Sequence, residues 1–199
     1  GVSIETAPLY GAKNIAQLAI STNPKYTQLG LPTTFRLVAN DTLQAKAIGS
    51  FAAGQLNSNK FAVVDDGTPY GKGLADGAAA ELTKAKKEIA IRQGFDDKTT
   101  AFDELAGKIK EAGVEAVVTT LNDFQVLALM EALKKIDYTK PAILGGDTIK
   151  TTAMLKGAGM MQGGLFATSP ILAVRAFPSG AKFLDSYRAA FKVDPAYGG

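Results

Sequence analysis

Lys60-Phe-Ala-Val-Val-Asp-Asp66 decides the fold, because four more runs of the same kind follow it at similar intervals. They are Glu88-Ile-Ala-Ile-Arg92, Val114-Glu-Ala-Val-Val-Thr-Thr120, Ala142-Ile-Leu-Gly-Gly-Asp147 and Gly164-Leu-Phe-Ala-Thr168. Each is short and apolar, and a helix-like stretch follows each. Strands alternating with helices in this way predict a parallel sheet with crossover helices. Such sheets bind ligands at the carboxyl ends of their strands. Four of the five runs end in Asp or Thr, so functional residues are expected there.

Working outward, the helix after the first run is predicted from about Gly71 to Lys86, on a stripe of Leu74, Ala78, Leu82 and Ala85. The next carries Phe102, Leu105 and Ile109, and the third Val126, Leu129, Met130 and Leu133. A short fourth lies near Thr151 to Lys156. Past the last strand, Pro170 to Ala176 reads as a connector, and Pro178 leads into a helix with Phe183, Leu184, Tyr187 and Phe191. Upstream, Pro8 to Asn14 reads as a helix and Ile15 to Ile20 as a buried strand. Ser21-Thr-Asn-Pro24 ends that strand in a loop, since residues before a proline disfavour helix. Thr34 to Val38 is a further short strand. Asp41 is a good N-cap for a helix through about Leu56, with Leu43, Ala47, Ile48, Phe51 and Ala52 as its apolar stripe.

The chain has 199 residues, 46% of them hydrophobic, enough for a sizeable core in one large domain or two small ones. It has no Cys and no His. That excludes thiol nucleophiles, imidazole bases, Ser-His-Asp triads and zinc sites built on Cys or His. The net charge is +3, with basic residues scattered among acidic ones, as on solvated helix faces. A nucleic-acid surface needs clustered basic residues, so no nucleic-acid partner is expected.

Several motifs admit two readings. Gly71-Lys-Gly-Leu-Ala-Asp-Gly77 has the spacing G-x-G-x-x-x-G and stands four residues beyond its strand, so the tight phosphate turn of a dinucleotide site is lost. Its glycines are better read as letting a helix sit close to the sheet. Asp65 and Asp66 are adjacent in a strand and point to opposite faces, a poor arrangement for acid–base or metal work. Ser21 and Thr22 either bind a carboxylate or another small anion, or cap the strand end as a Ser/Thr turn. Asp147 either accepts hydrogen bonds from a ligand ammonium or caps the helix starting near Thr148. Asp123 reads as the N-cap of its helix and faces the mouth of the cleft.

Five of these pieces, in order and spacing, resemble the type I periplasmic binding proteins, in the branched-chain amino acid receptor group of ABC transporters. Ser21-Thr-Asn-Pro-Lys-Tyr-Thr27 is similar to the loop after the fourth strand of the first lobe. Thr34-Phe-Arg-Leu-Val-Ala-Asn-Asp41 is similar to the crossover into the second lobe. Val63-Val-Asp-Asp66 with Tyr70-Gly-Lys-Gly73 resembles the D-x-x-x-Y-G-x-G segment. Gly145-Gly-Asp147 and Gly163-Gly-Leu-Phe-Ala167 are similar to later strands.

The resemblance implies an α/β fold of two lobes, each a doubly wound parallel sheet, in a chain cut at both ends. Residues 1–39 would be part of the first lobe, 40–172 most of the second, and 173–199 a return to the first. It implies a receptor, not an enzyme, with no catalytic residues, metal or cofactor. A small amino acid, branched-chain or related, would be captured between the lobes and delivered to a membrane permease. Its location would be the periplasm or the outer face of the cytoplasmic membrane. Ser21 and Thr22 would hold the ligand carboxylate and Asp147 the ammonium. Asp123 falls on a cleft position that is often aromatic in leucine receptors, and Ala173 near another aromatic position. Those departures point to a larger or more polar ligand as the alternative, an aromatic acid or an amide. A ligand-sensing domain of the same fold and an enzyme using Asp123 with a lysine are the other classes.

Overall fold

The computed structural model describes residues 2–195. The proposed cut end at Tyr197-Gly-Gly199 lies outside the described residues. The five apolar runs all form strands: β3 (Lys60–Asp65), β4 (Glu88–Gly94), β5 (Ala116–Thr119), β6 (Ala142–Gly145) and β7 (Leu165–Ala167). They pair in parallel in the order β4-β3-β5-β6-β7. Between them run α4 (Pro69–Lys84), α5 (Asp103–Glu111), α6 (Asp123–Lys135) and α7 (Thr152–Gly157), preceded by α3 (Asp41–Gln55).

The inner strands β3, β5 and β6 are nearly continuous in apolar residues because both of their faces are covered. Successive residues alternate between the faces. Phe61, Val63, Val118 and Leu144 pack under α3 and α4 with Ile48, Leu74, Ala78 and Leu82. Ala62, Val64, Val117 and Ile143 pack on the other side with Leu105, Ile109, Leu129 and Leu133. The register holds Val63 beside Val118 and Val118 beside Leu144. Since β3 has β4 on one side and β5 on the other, the winding reverses between β3 and β5. In a doubly wound sheet, that reversal opens a crevice at the carboxyl ends of the strands.

A second, smaller parallel sheet pairs β1 (Gln17–Ala19) with β2 (Thr34–Arg36). It is flanked by α1 (Val2–Gly11) and α2 (Lys25–Gln28), where Tyr26 is buried and its hydroxyl donates to the Gln17 carbonyl at 3.0 Å. The Ile15–Ile20 stretch is not the buried strand expected. Ile15, Leu18 and Ile20 are half exposed or more, as are Leu37 and nearly so Phe35. Two strands are too few for a sheet to cover both of its own faces. The last helix, α8 (Gly180–Phe191), follows the connector as expected.

Element ends differ from expectation for local reasons. Helix α1 begins at Val2 with Pro8 inside it, and Asn14 takes a left-handed φ of 53° just past its end. The N-cap of α3 is Asn40, whose side chain accepts from the Leu43 N–H at 2.9 Å. Asp41 is therefore the first helical residue, and Leu43 turns outward while Gln44 turns inward. Helix α4 begins earlier than expected, capped by Thr68 with Pro69 in its first turn. The cap of α6 is Asn122, in a reciprocal pair with Gln125, and not Asp123.

Candidate functional site

Asp147 lies just past the end of β6 and opens a single 3-10 turn, Asp147–Ile149, whose N-cap is Gly146. Its side chain faces the larger helices. Oδ1 accepts from the Tyr70 hydroxyl at 2.7 Å and from Gln44 Nε2 at 2.8 Å. Tyr70 comes from the first turn of α4, and Gln44 from the first turn of α3. Of the two glycines before Asp147, only Gly145 is demanded by space, and by the turn that follows rather than by the helices. A Cβ on Gly145 would lie 2.5 Å from Ile149 Cδ1, and one on Gly146 would meet Leu74 at 3.4 Å. Gln44 Nε2 also reaches Thr168 Oγ1, at 3.3 Å, beyond the end of β7. Helices α3 and α4 are thereby tied to the carboxyl ends of β6 and β7.

Asp41 stands one turn before Gln44, on the same side of α3. Its backbone N–H donates to the Thr22 carbonyl at 2.8 Å, which brings the Thr22 hydroxyl to the side of its carboxylate where it favours the ionised form. Burial pushes the Asp41 carboxyl above its usual range. Thr22 opposes the shift, the neighbouring Asp147 adds to it, and Arg36 opposes it. Arg36 also pins the loop that carries Thr22, donating to the Asn23 carbonyl at 3.1 Å and to Thr27 Oγ1 at 2.9 Å. Ser21 is half-buried beside Thr22.

Two oxygens of this group are buried without a donor: Asp41 Oδ1 and Gln44 Oε1. Gln44 is only 3% exposed. A buried acceptor left unpaired costs about 1–3 kcal/mol, so a native fold retains one only with a reason. A cleft of about 650 Å³ opens alongside, lined by Asn23, Pro24, Asp41, Lys46, Pro69 and Gly73 among others. Asp41 belongs to both the cleft and the Asp147 group. A second cavity, of about 550 Å³, lies under α8 against Leu172, Phe177 and Phe183. It takes in none of the residues that surround Asp147 in the hydrogen-bonded group.

Of the four residues expected at the site, the structure brings Thr22 and Asp147 together, through Asp41 and Gln44 on α3. Ser21 is adjacent to Thr22. Asp123 is not drawn in. It lies at the carboxyl end of β5, and its carboxylate accepts from the Phe124 N–H at 2.8 Å. Asp65 and Asp66 are both structural. Asp65 pairs with Arg92, which also binds Asp76 at 2.6 Å. Asp66 accepts from the Thr68 hydroxyl and N–H at 2.7 and 3.0 Å, bracing the start of α4.

Sequence reasoning missed Asp41, Gln44 and Tyr70 as site residues. The signal was present. Asp41, Gln44 and Ile48 share one helix face by spacing, and two polar residues at the open end of a buried stripe ask for a polar partner.

The periplasmic binding protein family profile matches residues 1–198. The Leu/Ile/Val-binding protein homolog 1 of Brucella melitensis is 35% identical over 118 residues, covering 59% of this chain and 32% of that protein. A leucine-binding protein from Thermotoga maritima superposes with a TM-score of 0.80 at 22% identity, over 98% of this chain and 55% of that one. A solute-binding protein of an ABC transporter from Rhodopseudomonas palustris, in complex with 3,4-dihydroxybenzoic acid, superposes with a TM-score of 0.72 at 16% identity, over 97% of this chain and 53% of that one. The chain thus spans about a third of the curated relative and just over half of the solved structures. The strand order, the crevice it opens and the family match over nearly every residue lead to one conclusion: the chain belongs to the periplasmic binding protein family.

Proposed function

We propose that this chain is part of an extracytoplasmic receptor that captures a small amino acid between two lobes and delivers it to an ABC-transporter permease. The proposed lobes are 1–39 with 173–199, and 40–172. The observation that carries the reading is the Asp147 carboxylate, fixed by Tyr70 and Gln44 at the end of β6 beside the switch-point crevice. It is held in place before any ligand arrives, and Asp41, to which the Thr22 loop is tied, stands near it.

Desolvating a zwitterion is costly unless each charge is paired. Asp147 meets the ammonium. Ser21, Thr22 and nearby backbone N–H groups meet the carboxylate. Hinge closure then buries the ligand, with no bond made or broken. Asp123 contributes polarity at the mouth. A permease on the membrane receives the closed form, in the periplasm or on the outer face of the membrane. A receptor for aromatic acids is the second reading, supported by the Rhodopseudomonas palustris neighbour's ligand.

The test is a thermal-shift screen of the full-length protein that contains this chain. The panel holds leucine, isoleucine, valine, phenylalanine, benzoate-type acids and short amides. Ligands that bind only the native state raise the melting point. An amino acid at 100 times its Kd should add about 2.7 kcal/mol, and Asp147→Ala should abolish that gain. A response to benzoate-type acids alone would support the second reading and remove the ammonium role from Asp147.

A further inference from the structure

The two donorless oxygens beside Asp147 are unexplained by a site in which Asp147 acts alone. Gln44 is nine-tenths buried and more, and its amide is already oriented: both Nε2 contacts are made, to Asp147 and to Thr168. That orientation leaves Oε1 as a fixed acceptor without a partner. Asp41 Oδ1 is a second such acceptor, one turn away on the same helix face and within electrostatic reach of Asp147.

We infer that Asp41 and Gln44 are specificity-determining residues, whose free oxygens complete with Asp147 an acceptor cradle for a primary ammonium group. The inference rests on the reading of Asp147 as the ammonium partner and extends it from one carboxylate to three side chains. A primary ammonium carries three N–H donors and no acceptor. The three acceptors offered are Asp41 Oδ1, Gln44 Oε1 and the Asp147 oxygen not engaged by Tyr70 and Gln44. A carboxylate or a hydrocarbon group carries no donor and leaves these oxygens unpaired, so the site discriminates against it. A hard metal ion demands six or more oxygens, more than this cradle provides. The electrostatics agree: a bound cation relieves the repulsion that Asp147 exerts on Asp41.

The test is calorimetric titration of the full-length protein with L-leucine, L-isoleucine, L-valine and L-phenylalanine, and with the matching acids that lack the amino group. Asp41→Asn and Gln44→Met are titrated in parallel, each checked for a native circular-dichroism spectrum. Asp41→Asn exchanges one carboxylate oxygen for an amide donor, and Gln44→Met removes Oε1 together with the Nε2 donor to Asp147 and Thr168; either suffices should the other fail to fold, Asp41→Asn being the one that leaves the hold on Asp147 intact. The expected result is at least a tenfold loss of amino-acid affinity in each variant, with affinity for the deaminated acids unchanged. If the wild type binds an amino acid and both variants bind it equally well, the cradle is overturned and the receptor reading stands. Equal losses for amino acids and deaminated acids also overturn the cradle, since the residues then act only on the shape of the site. Binding of deaminated acids alone by the wild type overturns the cradle together with the role of Asp147. No binding of any compound overturns the amino-acid reading and the cradle with it.

Discussion

At Asp41, burial opposes the carboxylate, Thr22 steadies it, Asp147 repels it and Arg36 attracts it; the balance raises its pKa above 3.8. A folded-state value above the unfolded one means that the folded chain holds the proton more tightly. The resulting stabilisation is fully present below pH 3.8 and is lost as pH rises through the raised value. Above the raised value the ionised Asp41 is therefore a burden on the empty protein. Asp41→Asn is expected to raise the melting temperature of the ligand-free protein at pH 7, on the order of 1–3 °C. The advantage should shrink as pH falls toward 3.8. Melting curves across pH 3.5–7 check this, and a variant less stable at pH 7 would count against it. A residue that costs stability when empty and aids binding when occupied fits a functional site. Gly71 illustrates the opposite case, in which a residue serves shape alone. A Cβ there would overlap Asp66 Oδ1 and come within 3.2 Å of Thr120 Oγ1. Gly71→Ala should cost about 1–3 kcal/mol in urea denaturation.

Helices α3 and α4 form the element pair on which the site depends. They approach so closely that a Cβ on Gly77 would lie 2.6 Å from Ala45 Cβ, and one on Gly49 would lie 2.9 Å from the Ala78 carbonyl. The closeness holds Gln44 and Tyr70 on a single carboxylate oxygen. Gly49→Ala should therefore do two things: lower stability by about 1–3 kcal/mol, and weaken ligand binding by loosening the grip on Asp147. Urea titration and calorimetry of the same variant separate the two effects; unchanged binding in a destabilised variant would show that the pair tolerates separation. The glycines of 71–77 were legible as close-packing positions because their spacing fails as a phosphate loop. Strands β3, β5 and β6 were legible because a strand buried on both faces needs an unbroken apolar run, whereas β4 and β7, at the edges, were read from their shorter runs and their spacing. Gln44 was not, since hydropathy alone assigns polar residues to solvent. Helix starts slipped by a residue where Asn40 and Asn122 outcompeted the aspartates that follow them. Asp147 and Thr22 were legible from the strand ends they close, but the α3 residues joining them require the tertiary approach of two helices.

Across the whole molecule the two sheets differ in what protects them. In the five-stranded sheet, β3, β5 and β6 are covered on both faces. The β1–β2 pair presents Leu18, Phe35 and Leu37 outward, and α1 adds Val2 and Leu9. Its ties to the larger unit include the Ala39 N–H to the Pro170 carbonyl at 2.9 Å and the Asp41 N–H to the Thr22 carbonyl at 2.8 Å. Local opening free energies follow buried contact, and so the two sheets should not open together. In the 199-residue chain expressed alone, amides of β3, β5 and β6 should exchange only through global unfolding. Those of β1 and β2 should exchange through local opening at least about 2 kcal/mol easier, a difference of roughly 30-fold in protection. Exposed apolar surface on that sheet should also bind a hydrophobic dye and promote association. Hydrogen exchange read by mass spectrometry decides the matter. Equal protection of both sheets, with a single cooperative thermal transition, would mean that the 199 residues fold as one unit. Protection confined to the larger sheet would mean that Thr22 meets Asp41 only part of the time in this chain. Ligand affinity would then be reduced by the fraction of molecules in which the small sheet is formed.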